Sequence, residues 1–156
     1  MTSHAIRNPV LPGFHPAPSF LRVGDDFYLA SSTFEWLPGV RFHHSRDLVN
    51  WRVAGHALTR PQHIDLKGVE NSAGNGAPSL SYADGQFWLI YTNIRTTGMA
   101  RPFKDPHVFL TTAPSIEGRW SDPIHLDSIG FDPSLFHSAG MTPRCFITCA
   151  SRTVTS

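Results

Sequence analysis

The sequence predicts an all-β fold of the propeller type, and three observations predict it. Short runs such as Phe27-Tyr28-Leu29-Ala30 and Phe87-Trp88-Leu89-Ile90-Tyr91 are bounded by turn residues, in a chain with 13 prolines and 12 glycines among 156 residues. Runs of this length and aromatic content indicate strands rather than helices. Three segments also align: Ala17-Pro18-Ser19-Phe20, Ala77-Pro78-Ser79-Leu80 and Asp132-Pro133-Ser134-Leu135. The first two lead into matching aromatic hairpins, and no convincing amphipathic helix is found.

The first unit starts at Ala17. Eight residues after Ser19 an aromatic pair follows a Gly/Asp turn, in VGDDFYL, and the unit closes on Trp51 in SRDLVNW. The second unit starts at Ala77, repeats the hairpin as ADGQFWL and closes on Trp120 in APSIEGRW. Paired strands around such a turn are a hairpin signature. The third unit starts at Asp132. The starts lie 60 and 55 residues apart, a period that suits propeller blades of four strands each. A β-sandwich with similar turns is the competing architecture, and three segments in register with two aromatic hairpins favour the propeller. Two blades and the start of a third do not close a ring, so sheet faces and edges are expected to be left unprotected.

Composition excludes several functions. The apolar fraction of 40% is that of a globular protein, and 13 basic against 12 acidic side chains leave no field to attract nucleic acid or anionic lipid. The amino terminus, MTSHAIRNPVL, lacks an apolar stretch long enough for a signal peptide, and no run approaches the roughly 18 apolar residues that span a bilayer. A soluble, cytoplasmic chain with no membrane partner is expected. Cys145 and Cys149 lack the second pair that a structural zinc site needs and are read as free thiols. Nine histidines invite a metal reading, but His43 and His44 point to opposite faces of a strand and no His-Glu-x-x-His spacing occurs. Neither a metal nor another cofactor is expected.

Turns at one end of a propeller's innermost strands converge on its axis. The residue before each Pro-Ser therefore faces a shared cavity, and these residues are Ala17, Ala77 and Asp132. Only Asp132 brings an ionisable group. A carboxylate there orients a sugar hydroxyl, tunes a neighbouring acid or binds a cation. The competing reading is an Asp that caps its own turn.

The stretches NPVLPGFHPAPSFLRVGDDFYLASSTFEWLPGVRFHHSRDLVNW, LSYADGQFWLIYT and GFDPSLFH resemble the amino-terminal part of family 43 glycoside hydrolases, across residues 8 to 137. The likeness is to β-xylosidases with some α-arabinofuranosidase activity. It implies a five-bladed propeller that inverts the anomeric carbon, with xylo-oligosaccharides or arabinosides as small-molecule partners. Inversion takes one carboxylate to activate water and a carboxylic acid to protonate the leaving oxygen. By resemblance the base belongs in a Pro-Asp-Pro-Ser turn, which here reads Pro16-Ala17-Pro18-Ser19, so the base is missing. Asp132 matches the Asp that raises the acid's pKa. The acid itself is a Glu followed by a small residue, Pro and His. Glu35, Glu70 and Glu117 lack that context and are read as surface or turn residues, the acid's place lying beyond the end of this chain.

Sugar contacts follow the same resemblance. Phe34 matches an aromatic that packs on the xylose, with propeller core as its competing role. A Trp is implied at position 76, where this chain has Gly76, and Ser79 stands where xylosidases often carry His.

After His137 the resemblance stops. Residues 1–137 read as family 43 propeller and 138–156 as a divergent tail. A shifted reading frame turns Met141-Thr142 into Asp, gives an apolar strand from residue 144 onward, and yields Asn-Met near Thr148. We therefore take a frameshift as the working hypothesis for the tail, and sequencing the gene past codon 137 tests it. The expectation is a β-xylosidase-like glycosidase chain without catalytic competence. A non-catalytic pentose-binding remnant and a poorly folded pseudogene product are the alternatives.

Overall fold

A computed structural model describes residues 7–97, 104–137 and 144–148. Strands β1 (Ser19–Val23), β2 (Asp26–Ser31), β3 (Gly39–Ser45) and β4 (Arg52–Leu58) form one antiparallel sheet in sequence order. Strands β5 (Gly74–Ala83), β6 (Gln86–Ile94), β7 (Pro106–Ala113) and β8 (Ile124–Asp127) repeat that meander, and β9 (Phe131–Phe136) pairs with β10 (Arg144–Thr148). Two four-stranded blades and the start of a third are what the three Pro-Ser segments imply. The strand β10 falls within residues 138–156, which the sequence reading expects to diverge; residues 138–143 and 149–156 lie outside the described residues. No helix among the described residues is long and apolar enough to cross a membrane.

The repeat is visible in the backbone register. Phe20 pairs with Leu29 in the first blade, and Leu80 pairs with Leu89 at the same place in the second. Each hairpin turns through two residues, and the turn chemistry is local. Asp84 (φ 52) and Gly85 (φ 75) both have positive φ, as a type I′ turn requires, and Gly24 (φ 61) leads the first turn in the manner of type II′.

Alternation along the strands builds the core between the blades. Leu21, Val23 and Tyr28 of the first blade pack towards Leu80, Phe87, Leu89 and Tyr91 of the second, and Tyr28 meets Phe87 edge-on at 5.2 Å. Fully burying one such large side chain contributes about 1.5–3 kcal/mol. Tyr91 donates its hydroxyl proton to the carbonyl of His63, which satisfies the polar end of a ring that is otherwise in the core.

The two closing Trp residues differ for a geometric reason. Trp120 is buried and stacks on Phe42 of the first blade, ring centres 5.3 Å apart. Trp51 is partly exposed and donates Nε1–H to the carbonyl of Leu48 at 3.1 Å. Trp120 has a preceding blade to enter, and Trp51 has none among the described residues. Arg52 adds a polar bridge over the same seam, 2.7 Å from Glu117.

Candidate active site

The turn before β1 is held from within. Ser32 donates its backbone N–H to the carbonyl of Pro16 at 3.0 Å, which ties the turn to the end of β2. Ala17 in that turn has φ 46, Ala77 has φ 42 and Asp132 has φ 55. Left-handed backbone is uncommon for residues other than Gly, and Asp and Asn visit it more readily than Ala. The three aligned positions thus share one unusual geometry, and Asp132 is the one occupied by a residue type suited to it. Ala17 and Asp132 are both exposed.

Phe34 sits on a second strained turn. Its φ is 48, and the turn is closed by Trp36 N–H to the Thr33 carbonyl at 2.9 Å and by Thr33 Oγ1–H to the Trp36 carbonyl at 2.8 Å. The ring is partly buried and lies 6.0 Å from that of Phe14; Phe14 is 65% exposed, and Trp36, in the same turn as Phe34, is 68% exposed. Phe34 is therefore at the surface edge of the core rather than inside it. The contacting rings of Phe14 and Phe34, with the exposed Trp36 in the same turn as Phe34, offer apolar surface that suits the face of a sugar ring.

The Gly74–Ala77 run of β5 completes the neighbourhood. Asn75 forms a bridge with Phe34 across the two blades, its N–H donating to the Phe34 carbonyl at 3.1 Å. Gly76 pairs with Thr92, and a β-carbon placed on it meets only Ile94 Cδ1, at 3.4 Å. The position expected to carry a stacking Trp is open at its first atom. Ser79 pairs with Ile90. Asp132 lies near the start of β9, which packs against β5.

Four other carboxylates have structural work. Glu70 accepts hydrogen bonds from Thr97 N–H at 2.7 Å and from the hydroxyls of Thr96 and Thr97. Glu117 pairs with Arg52. Asp26 accepts from His44 Nε2 at 2.7 Å and Arg46 Nε at 2.9 Å, and these bonds hold its carboxyl below the usual range. Asp47 accepts from the N–H groups of Val49 and Asn50 and from the Asn50 side chain, which also lowers it. Asp26, Tyr28, His44, Arg46, Arg52 and Glu117 line a cleft of about 310 Å³ between the blades, with its charges mutually paired.

Two residues of this region escaped the sequence reading. Ser19, read as a turn residue, accepts the N–H of Leu80 on its Oγ at 3.0 Å and so clips one blade to the next. Asn75, between two glycines, is fully buried and grips the Phe34 turn. Nothing in a Gly-Asn-Gly string distinguishes such a grip from an ordinary turn.

Antiparallel four-strand meanders packed face to face, with homologous left-handed turns at their inner ends, define a piece of a β-propeller. The family model for glycosyl hydrolases family 43 matches residues 6–143, and the chain belongs to that family. It is 56% identical over 132 residues to a β-xylosidase of Bacillus subtilis (strain 168), and 53% identical over 132 residues to a xylan 1,3-β-xylosidase of a Vibrio species. Each alignment covers 85% of this chain and 24% of the relative. The crystal structure of xylan β-1,4-xylosidase from Bacillus halodurans C-125 superposes with a TM-score of 0.82 at 61% identity, over 86% of this chain and 26% of that one. The chain spans about a quarter of the length of the relatives it matches.

Proposed function

We propose that this chain carries the glycone-binding, amino-terminal portion of an inverting β-xylosidase-type site from which the water-activating base has been lost. The observation that carries the reading is the shared backbone of Ala17 and Asp132. A carboxylate at position 17 would leave the first turn as Asp132 leaves the third. Inversion requires two carboxyl groups roughly 6.5–9.5 Å apart with water between one of them and the anomeric carbon. A methyl group at position 17 removes no proton from that water. Asp132 holds the position of the carboxylate that tunes the acid in complete relatives, and Phe34 packs on the pentose.

The test has two arms. An aryl β-xyloside incubated with the purified chain should show no turnover, and activity that survives repurification overturns the loss of the base. Xylose titrated against the Trp fluorescence of the same chain should give a saturable change, and a linear response overturns the glycone site. Ala17→Asp alone should leave the turnover of the 156-residue chain undetectable, because none of Glu35, Glu70 and Glu117 stands in the sequence context of a leaving-group acid.

A further inference from the structure

We propose that Asn75 is the positioning residue of the Phe34 platform: its carboxamide, reaching from the second blade, holds the left-handed Thr33–Phe34 turn of the first in the conformation that presents the ring. The inference rests on the reading of Phe34 as a sugar contact and names the residue that sets its pose.

The geometry is a three-point grip. Asn75 Oδ1 accepts the N–H of Thr33 at 3.2 Å, and Asn75 Nδ2 donates to Thr33 Oγ1 at 2.8 Å and to the Phe34 carbonyl at 3.0 Å. The backbone N–H of Asn75 reaches the same carbonyl at 3.1 Å, so the Phe34 oxygen accepts twice from one residue. Asn75 is fully buried, where unmade hydrogen bonds cost most. A Phe at φ 48 is a conformation that persists only where its surroundings over-determine it. Asn75 supplies the determination.

Its neighbours are shaped to admit it. A β-carbon on Gly74 (φ 91) would stand 2.4 Å from the Phe34 carbonyl oxygen, and one on Gly39 would stand 3.2 Å from Asn75 Nδ2. Bare backbone at both positions lets the two blades close on the amide. A residue that only filled this seam would need no donors and acceptors aimed at consecutive backbone groups of one turn. An apolar side chain with the same branching and the same number of heavy atoms, as in Asn75→Leu, occupies the place, though it is bulkier, and makes none of the bonds.

Equilibrium binding of xylose reads the effect directly, since the position of the base holds Ala17. Asn75→Leu should weaken xylose binding about tenfold. Asn75→Asp, which keeps the acceptor for Thr33 N–H and loses both donors, should fall in between and guards against misfolding of the Leu variant. In a Phe34→Leu background the Asn75→Leu effect should shrink below twofold, because a residue acting through Phe34 loses its effect when the ring is gone. An undiminished tenfold effect in that background, or full wild-type affinity in Asn75→Leu, overturns the proposal. A crystal structure of Asn75→Asp or Asn75→Leu gives a reading independent of ligand: Phe34 should leave positive φ, and an unchanged turn overturns the proposal. If the wild-type chain binds no xylose while the variant's turn collapses, the sugar reading fails and the grip stands.

Discussion

At the scale of single residues, His43 shows how a propeller face handles a titratable ring. It lies on β3 in the row formed by Phe20, Leu29 and Val53, is buried, and meets His15 edge-on at 4.8 Å. Burial first, then the nearby His15, Arg41 and His56, pushes its pKa down to about 4. The folded chain therefore holds His43 neutral, while the unfolded chain takes up its proton near the ordinary value of about 6.5. Stability is complete above that value and falls as pH drops from about 6.5 towards 4, by up to about 3 kcal/mol for this one group. His56 and His63 are lowered as well, mainly by burial, and add to the same slope. Urea denaturation at pH 7, 6 and 5 should trace this loss, and His43→Gln should flatten it. A slope unchanged in that variant places the acid sensitivity elsewhere.

At the scale of elements, the seam between blades concentrates the stabilising contacts. Trp120 removed to Ala opens a hole against Phe42 and should cost about 3–5 kcal/mol in chemical denaturation, the range for large aromatics in cores. Trp51, equivalent in the repeat but only partly buried, should cost under about half of that when replaced in the same way. Equal losses would mean that the seam is not what distinguishes them. This contrast also marks what sequence could convey. The turns after Val23 and Ala83, the hairpins they join and the two Trp positions follow from local chemistry, and all were readable from Gly, Asp and aromatic spacing. Which Trp finds a partner depends on the packing order of the blades, and no local pattern encodes that. The same holds at the site. Ala17 and Asp132 align by their Pro-Ser contexts, and Phe34 by resemblance, whereas the grip of Asn75 acts across 41 residues of sequence.

At the scale of the whole chain, the first blade presents one face to the second and its other face outward. Register puts Phe20, Leu29, His43 and Val53 on that outer face, and Phe20 and Val53 are 55% and 57% exposed. Part of it is sheltered: Phe27 lies against Phe20, rings 6.0 Å apart, with the Arg22 guanidinium 5.5 Å above it, and His15 shields His43. The rest is an apolar sheet face of the kind that drives association when it has no cover. For the chain taken by itself this predicts concentration-dependent self-association, measurable by sedimentation velocity from low to high micromolar protein. The double variant Phe20→Ser, Val53→Thr changes two exposed positions and leaves the seam with the second blade intact. It should shift the distribution towards monomer while its thermal midpoint stays within a few degrees of the parent, because exposed side chains contribute little to folding. If the parent is monomeric throughout, the outer face is adequately covered by His15 and Arg22. If the variant associates as strongly as the parent, the sticky surface is another one, and the exposed Ile124 of β8 is the next to substitute.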